Sequence, residues 1–124
     1  MELTPYFKSV VDQDPAQIVI CDRNHTIIYM NPSAVADYGK YGGAALLGRS
    51  VLDCHGPASK QRIQQVLAWF AESPDHNIIY TSHSSSRNMD IYMVALRNED
   101  GTLLGYYEKH ESRAPETRSR YDFT

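Results

Sequence analysis

Residues 18–34 constrain the fold more than any other stretch of the chain. Ile18-Val19-Ile20-Cys21-Asp22 and Thr26-Ile27-Ile28-Tyr29-Met30-Asn31 are short β-rich runs on either side of a polar turn, Asp22-Arg23-Asn24-His25. Ile, Val and Tyr suit a pleated, half-buried surface, while Asp and Asn tolerate tight backbone geometry. Asn31-Pro32 then closes the second run and opens a helical segment through Ser33 and Ala34. The stretch predicts a hairpin that runs straight into a helix. It is a signature of fold and carries no obvious catalytic group.

The rest of the chain extends this pattern. Leu3, Phe7, Val10 and Val11 form a helical stripe over residues 1–12, with Thr4-Pro5 as cap and first turn. A helix so short is marginal alone and must dock on its own domain or on a second subunit. Residues 39–48 hold Gly39, Gly42, Gly43 and Gly48 and predict irregular turns around a cavity. Neither GxxxxGK[ST] nor GxGxxG is present, so a phosphate cradle is not expected. Ile63, Val66, Leu67 and Phe70 fall at helical spacing and predict the main helix over 57–70. Strands are expected over 76–83, 87–97 and 102–111, the last two joined by the turn Asn98-Glu99-Asp100-Gly101. Residues 112–124 have little to bury and are expected to form a disordered tail. The expected division is therefore an N-terminal amphipathic helix over 1–12, a folded domain over 13–111 and the tail. Strands and helices segregate along the chain, which favours α+β with an antiparallel sheet over a doubly wound fold.

Composition limits the partners. With 124 residues the chain suits one domain, and a net charge of -3 leaves no electrostatic footprint for nucleic acid. No apolar run reaches the roughly 20 residues of a membrane helix, and Met1-Glu2-Leu3-Thr4-Pro5 lacks a signal-peptide core. Cys21 and Cys54 stand without a CxxC spacing, in keeping with free thiols in a reducing cytoplasm.

Chemical candidates are few. His55, between the glycine-rich segment and the main helix, could ligate haem iron or simply cap the helix. A zinc site from Cys21, Cys54 and His55 would need a fourth ligand, and adjacent residues rarely share one tetrahedral ion. The run Ser82-His83-Ser84-Ser85-Ser86 offers a solvated loop rather than a held nucleophile. No catalytic residue and no resident metal are expected.

The order of elements, with Ile18-Val19-Ile20-Cys21-Asp22, Ile27-Ile28-Tyr29-Met30-Asn31-Pro32-Ser33-Ala34, Leu46-Leu47-Gly48-Arg49-Ser50 and Asn98-Glu99-Asp100-Gly101-Thr102-Leu103-Leu104-Gly105 at its joints, resembles the PAS domain family. The Gly48-Arg49 to Cys54-His55-Gly56-Pro57 segment is also similar to a bacterial PAS subgroup sometimes fused to hemerythrin-like domains. The resemblance implies a PAS fold, with helices on one face of a five-stranded antiparallel sheet and a small-molecule pocket between them. It implies a sensory, non-enzymatic module that signals by protein association. A ligand-free interaction scaffold is the main alternative. A haem-based gas or redox sensor using His55 is a weaker one, and the light-reactive flavin segment is missing.

The last two strands are apolar on both faces. The resemblance assigns Tyr92, Val94, Leu96, Leu103 and Tyr107 to the ligand side, facing Ile63, Leu67, Phe70 and His55. The opposite face, Met89, Ile91, Met93, Leu104 and Tyr106, joins the stripe Leu3, Phe7, Val10 and Val11 in an expected homodimer interface, since an exposed apolar patch usually marks a contact surface. A monomer with the N-terminal helix folded back is the alternative.

Overall fold

Each α-helix carries a proline in its first turn, where its missing N–H costs nothing because those helical N–H groups have no partner anyway. In the computed structural model, which describes residues 1–124, Pro5 lies in the first turn of α1 (Thr4–Gln13), and Pro32 and Pro57 open α2 (Pro32–Asp37) and α3 (Pro57–Glu72). The strands are β1 (Val19–Asp22), β2 (Ile27–Met30), β3 (Ile78–Ser84), β4 (Met89–Arg97) and β5 (Leu103–Ser112). They form one antiparallel sheet in the order β2-β1-β5-β4-β3, so the first hairpin lies beside the last strand. Three 3₁₀ turns, Gly39–Tyr41, Gly43–Leu46 and Val51–Cys54, bridge α2 and α3. Residues 113–124 contain neither helix nor strand and are exposed.

The Asn31-Pro32 joint works through one side chain. Asn31 is fully buried, and its Oδ1 accepts from Ala34 N–H as the cap of α2 and from Ile18 N–H, both at 2.9 Å. Its Nδ2 donates to the carbonyls of Val11 and Ala16, both at 3.0 Å. One amide thus ties the end of α1, the entry to β1 and the start of α2, leaving little of its bonding capacity unmet. Gly105 sets the β1–β5 contact. A Cβ there would lie 2.0 Å from the Cys21 carbonyl oxygen, a distance no side chain can accept.

The core gathers Phe70 and Val66 of α3 with Met93, Leu103, Tyr106, Cys21, Ile27, Met30, Ala34 and Leu46. Arg97, at the end of β4, closes the far end of α3. Its Nη2 donates to the carbonyls of Phe70 (2.7 Å), Ser73 (3.0 Å) and His76 (3.1 Å). Its Nη1 donates to Gly101 O at 3.1 Å and its Nε to Asn77 Oδ1 at 2.7 Å. A guanidinium here satisfies carbonyls that the helix end leaves open and meets the negative end of its dipole.

The two faces of the sheet are the reverse of the sequence expectation. Met93 and Tyr106 lie in the core under α3, and Met89 and Ile91 line a small cleft on the same side, so none of the four is on the outer face. Tyr92 pairs with Lys109 and Val94 with Tyr107, and Leu96 with Gly105, which puts Tyr92, Val94, Leu96 and Tyr107 on the side away from α3. Leu103 is buried in the core because the register shifts between Leu96 and Arg97, turning Leu103 inward and leaving Leu104 exposed. Alternation alone could not choose the face, because both faces are apolar at this point.

Helix α1 keeps Leu3, Phe7 and Val10 exposed and buries none of its residues. It is held by the Val11 carbonyl on Asn31, by Asp12 accepting from the Tyr29 hydroxyl, and by Lys8 poised over the Tyr29 ring.

Candidate ligand cavity

The glycine-rich turns stand off from the sheet and leave a cavity of about 530 Å³ beneath them. That volume lies within the range of small-molecule sites, roughly 300–1,000 Å³. Val19, Cys21, Met93 and Tyr106 form its floor on the sheet, and Ile27 and Met30 form its side on β2. Tyr38, Tyr41, Leu46, Val51 and Ile63 close the roof. Cys54 adds to the roof, and Arg49, Asp53, His55, Glu108 and His110 supply the polar positions. Twelve of the seventeen lining residues are hydrophobic, which fits a guest with a largely apolar body.

Two of the expected ligand-side residues, Ile63 and His55, line this cavity. Phe70, Leu67 and Leu103 belong to the packed core beside it. Tyr92, Val94, Leu96 and Tyr107 lie behind the sheet. Of the residues placed in the expected dimer interface, Met93 and Tyr106 are part of the cavity wall instead.

The polar groups divide into three sets. The His55 Nδ1 sits 2.8 Å from the Val51 carbonyl, an acceptor. The ring therefore carries its hydrogen on Nδ1, and in the neutral form its Nε2 presents a lone pair. In the second set the Tyr106 hydroxyl is 2.7 Å from His25 Nδ1, and Tyr106 pairs with Cys21 across β5 and β1. Burial pushes the Cys21 thiol up to about 11 and drives the Tyr106 phenol further upward, with Cys21 adding to the effect. Both are neutral polar groups at ordinary pH, and Cys21 is a poor nucleophile. Burial also lowers the His25 imidazole.

The third set escaped the sequence reading. His110 Nε2 lies 3.1 Å from Glu108 Oε1 and 3.0 Å from the Gln17 amide nitrogen, which also reaches the Tyr38 hydroxyl at 2.9 Å. Burial pushes Tyr38 up to about 12, helped by the carboxylates of Glu108 and Asp37. Glu108 and His110 alternate with Lys109 and Glu111 at the end of β5 and read in sequence as a solvated strand end. Their i, i+2 spacing was the only available signal that they share a face.

The sequence matches the family described as PAS fold over residues 11–109, and the chain belongs to that family. No curated protein sequence matches it. Among solved structures it is similar to the PAS domain of a Colwellia psychrerythraea protein, with 15% identity, a TM-score of 0.64 and coverage of 90% of this chain and 97% of that one. It is also similar to the PAS domain of Bordetella pertussis BvgS, with 15% identity, a TM-score of 0.63 and coverage of 90% and 86%. The Aer2 receptor of Vibrio cholerae, a dual PAS-heme oxygen sensor, aligns with 14% identity, a TM-score of 0.55 and coverage of 79% and 94%. These likenesses establish the fold. No helix of the chain is long and apolar enough to cross a membrane.

Proposed function

We propose that this chain is a sensory module that binds a small apolar or aromatic molecule between the glycine-rich turns and the sheet, and passes on occupancy by protein association. The cavity carries the reading: an apolar hollow with a few convergent polar groups is the usual form of a ligand site. The outer surface supports the second half of the proposal. Ile78 and Tyr80 on β3 and Phe7 and Val10 on α1 are all more than half exposed, as befits a contact surface rather than a finished exterior. A homodimer through α1 and this face is the assembly that fits best.

Native mass spectrometry of protein purified from cells tests the ligand. The expected result is added mass that unfolding releases. A bare-chain mass, together with no response to a library of aromatic fragments, would leave only an interaction scaffold. For the dimer, Phe7→Asp combined with Val10→Asp changes exposed positions alone and should give monomers in sedimentation. An unchanged dimer would remove α1 from the interface.

A second reading is favoured by one observation, the free Nε2 of His55 at the cavity wall. That atom could serve as an axial ligand to haem, which would supply gas or redox sensing. The absorption spectrum separates the readings: a Soret band that disappears in His55→Ala supports haem, and its absence from the wild type removes it.

A further inference from the structure

One buried polar atom on the cavity wall has no partner. His110 is 93% buried as a side chain, being 7% exposed, and its Nδ1 makes no hydrogen bond. What that atom offers depends on which ring nitrogen carries the hydrogen. Nε2 faces both the Glu108 carboxylate and the Gln17 amide. A carboxylate only accepts, whereas an amide can present either its N–H or its oxygen. The charge-assisted bond to Glu108 is the stronger of the two. The hydrogen therefore sits on Nε2, which exchanges the two ends of the Gln17 amide: its oxygen takes the place of the nitrogen near His110 and Tyr38 and accepts from both Nε2 and the Tyr38 hydroxyl. In the neutral ring this leaves Nδ1 as a lone-pair acceptor.

We infer that the cavity selects molecules bearing an N–H donor on an apolar body, received by the acceptor pair His110 Nδ1 and Glu108, with a small turn of the imidazole presenting Nδ1 to the guest. The inference rests on the cavity being the ligand site. Both groups on this part of the wall accept, so a carboxylate guest would meet Glu108 as a like charge. Arg49, the only lysine or arginine on the wall, is exposed.

The test uses ¹⁵N-labelled full chain at about pH 8, where an ordinary imidazole is neutral. Long-range ¹H–¹⁵N spectra should show His110 with its hydrogen on Nε2. An Nδ1–H ring overturns the inference without any ligand being added. Indole and benzofuran, alike in size but differing in the N–H, are then titrated while the amides of Ile63 and Met93 are followed. Indole should bind about tenfold more tightly, the worth of one well-made hydrogen bond. His110→Phe should remove most of the gap between the two affinities, and Glu108→Gln should narrow it to a lesser extent. Equal binding of both probes, with shifts at the cavity residues, overturns donor selection and leaves the cavity reading intact. No shift at those residues with either probe overturns both.

Discussion

Two halves of the helical layer rest on one sheet and meet it differently. Where α3 crosses β4 and β5, Phe70 is fully buried in the core cluster that also holds Met93 and Leu103, and Arg97 fastens the helix end to the strand below. Where the 3₁₀ turns cross β1 and β2, the contact is made at the rim and a hollow remains. Backbone bonds such as Ile27 N–H to Arg49 O and Gly48 N–H to Ile27 O, both 2.8 Å, hold that rim without filling the space behind it. Interiors pack at crystal-like density unless something prevents it. A dense half therefore supplies stability that a hollow half can draw on for binding.

The largest test of this contrast is Phe70→Ala. A fully buried aromatic in the dense half should cost about 3–5 kcal/mol on truncation, measured by denaturant unfolding. A loss below about 1 kcal/mol would mean that this half is no better packed than the other. Next comes Arg97→Met, which keeps the length of the side chain and removes its donors. The open carbonyls of α3 and the following turn should cost about 2 kcal/mol, with amide exchange quickening first in the last turn of α3. An effect confined to β4 would refute the clasp.

Filling the hollow should do much less. Val51→Phe projects new volume into the cavity and should change stability by no more than about 1 kcal/mol, whereas the same enlargement in a dense core costs about 1–3 kcal/mol. It should nevertheless abolish binding of aromatic probes. A destabilisation as large as that of Phe70→Ala would mean that the hollow is not free space.

The smallest effect concerns pH. Burial lowers the His25 imidazole, so the folded protein holds that proton less tightly than the unfolded chain. Its contribution is complete above the ordinary histidine value of about 6.5 and is lost as pH falls through the lowered folded value. Asp12 and Asp90, lowered first by Lys8 and Arg113 respectively, act in the same direction but only in the carboxylate range, near pH 4 and below. Stability should therefore fall as pH drops below about 6.5, and His25→Asn should flatten that slope. Asn is the fitting replacement because His25 has a φ of 65°, in the left-handed region that Asn tolerates. An unchanged slope would show that the His25–Tyr106 contact does not titrate with folding.

Much of the architecture could be read in advance. Prolines at the helix starts, the Asn98–Gly101 turn and the Ile and Val runs are local signals, and they fall within a few residues of the elements observed. The cavity was partly legible. Glycines at 39–48 announced turns that could not pack flat, and Ile63 and His55 were expected on its wall. The facing of β4 and β5 was not legible. Asp90, Lys109 and Glu111 mark the face of Tyr92 and Tyr107, yet Glu108 and His110 mark the other in the same way. The shift between Leu96 and Arg97, which breaks the count between the strands, leaves no trace in composition.

The amino-acid order alone determined which segments become helix, strand and turn, because propensities, caps and apolar periods act over a few neighbouring residues. Tertiary structure decided which side of the sheet α3 covers, what Asn31 and Arg97 clasp, and that Gln17, Glu108 and His110 meet beside a hollow. Those outcomes depend on contacts between groups as many as 93 residues apart, and a two-residue alternation with apolar groups on both faces has no means of breaking its own symmetry.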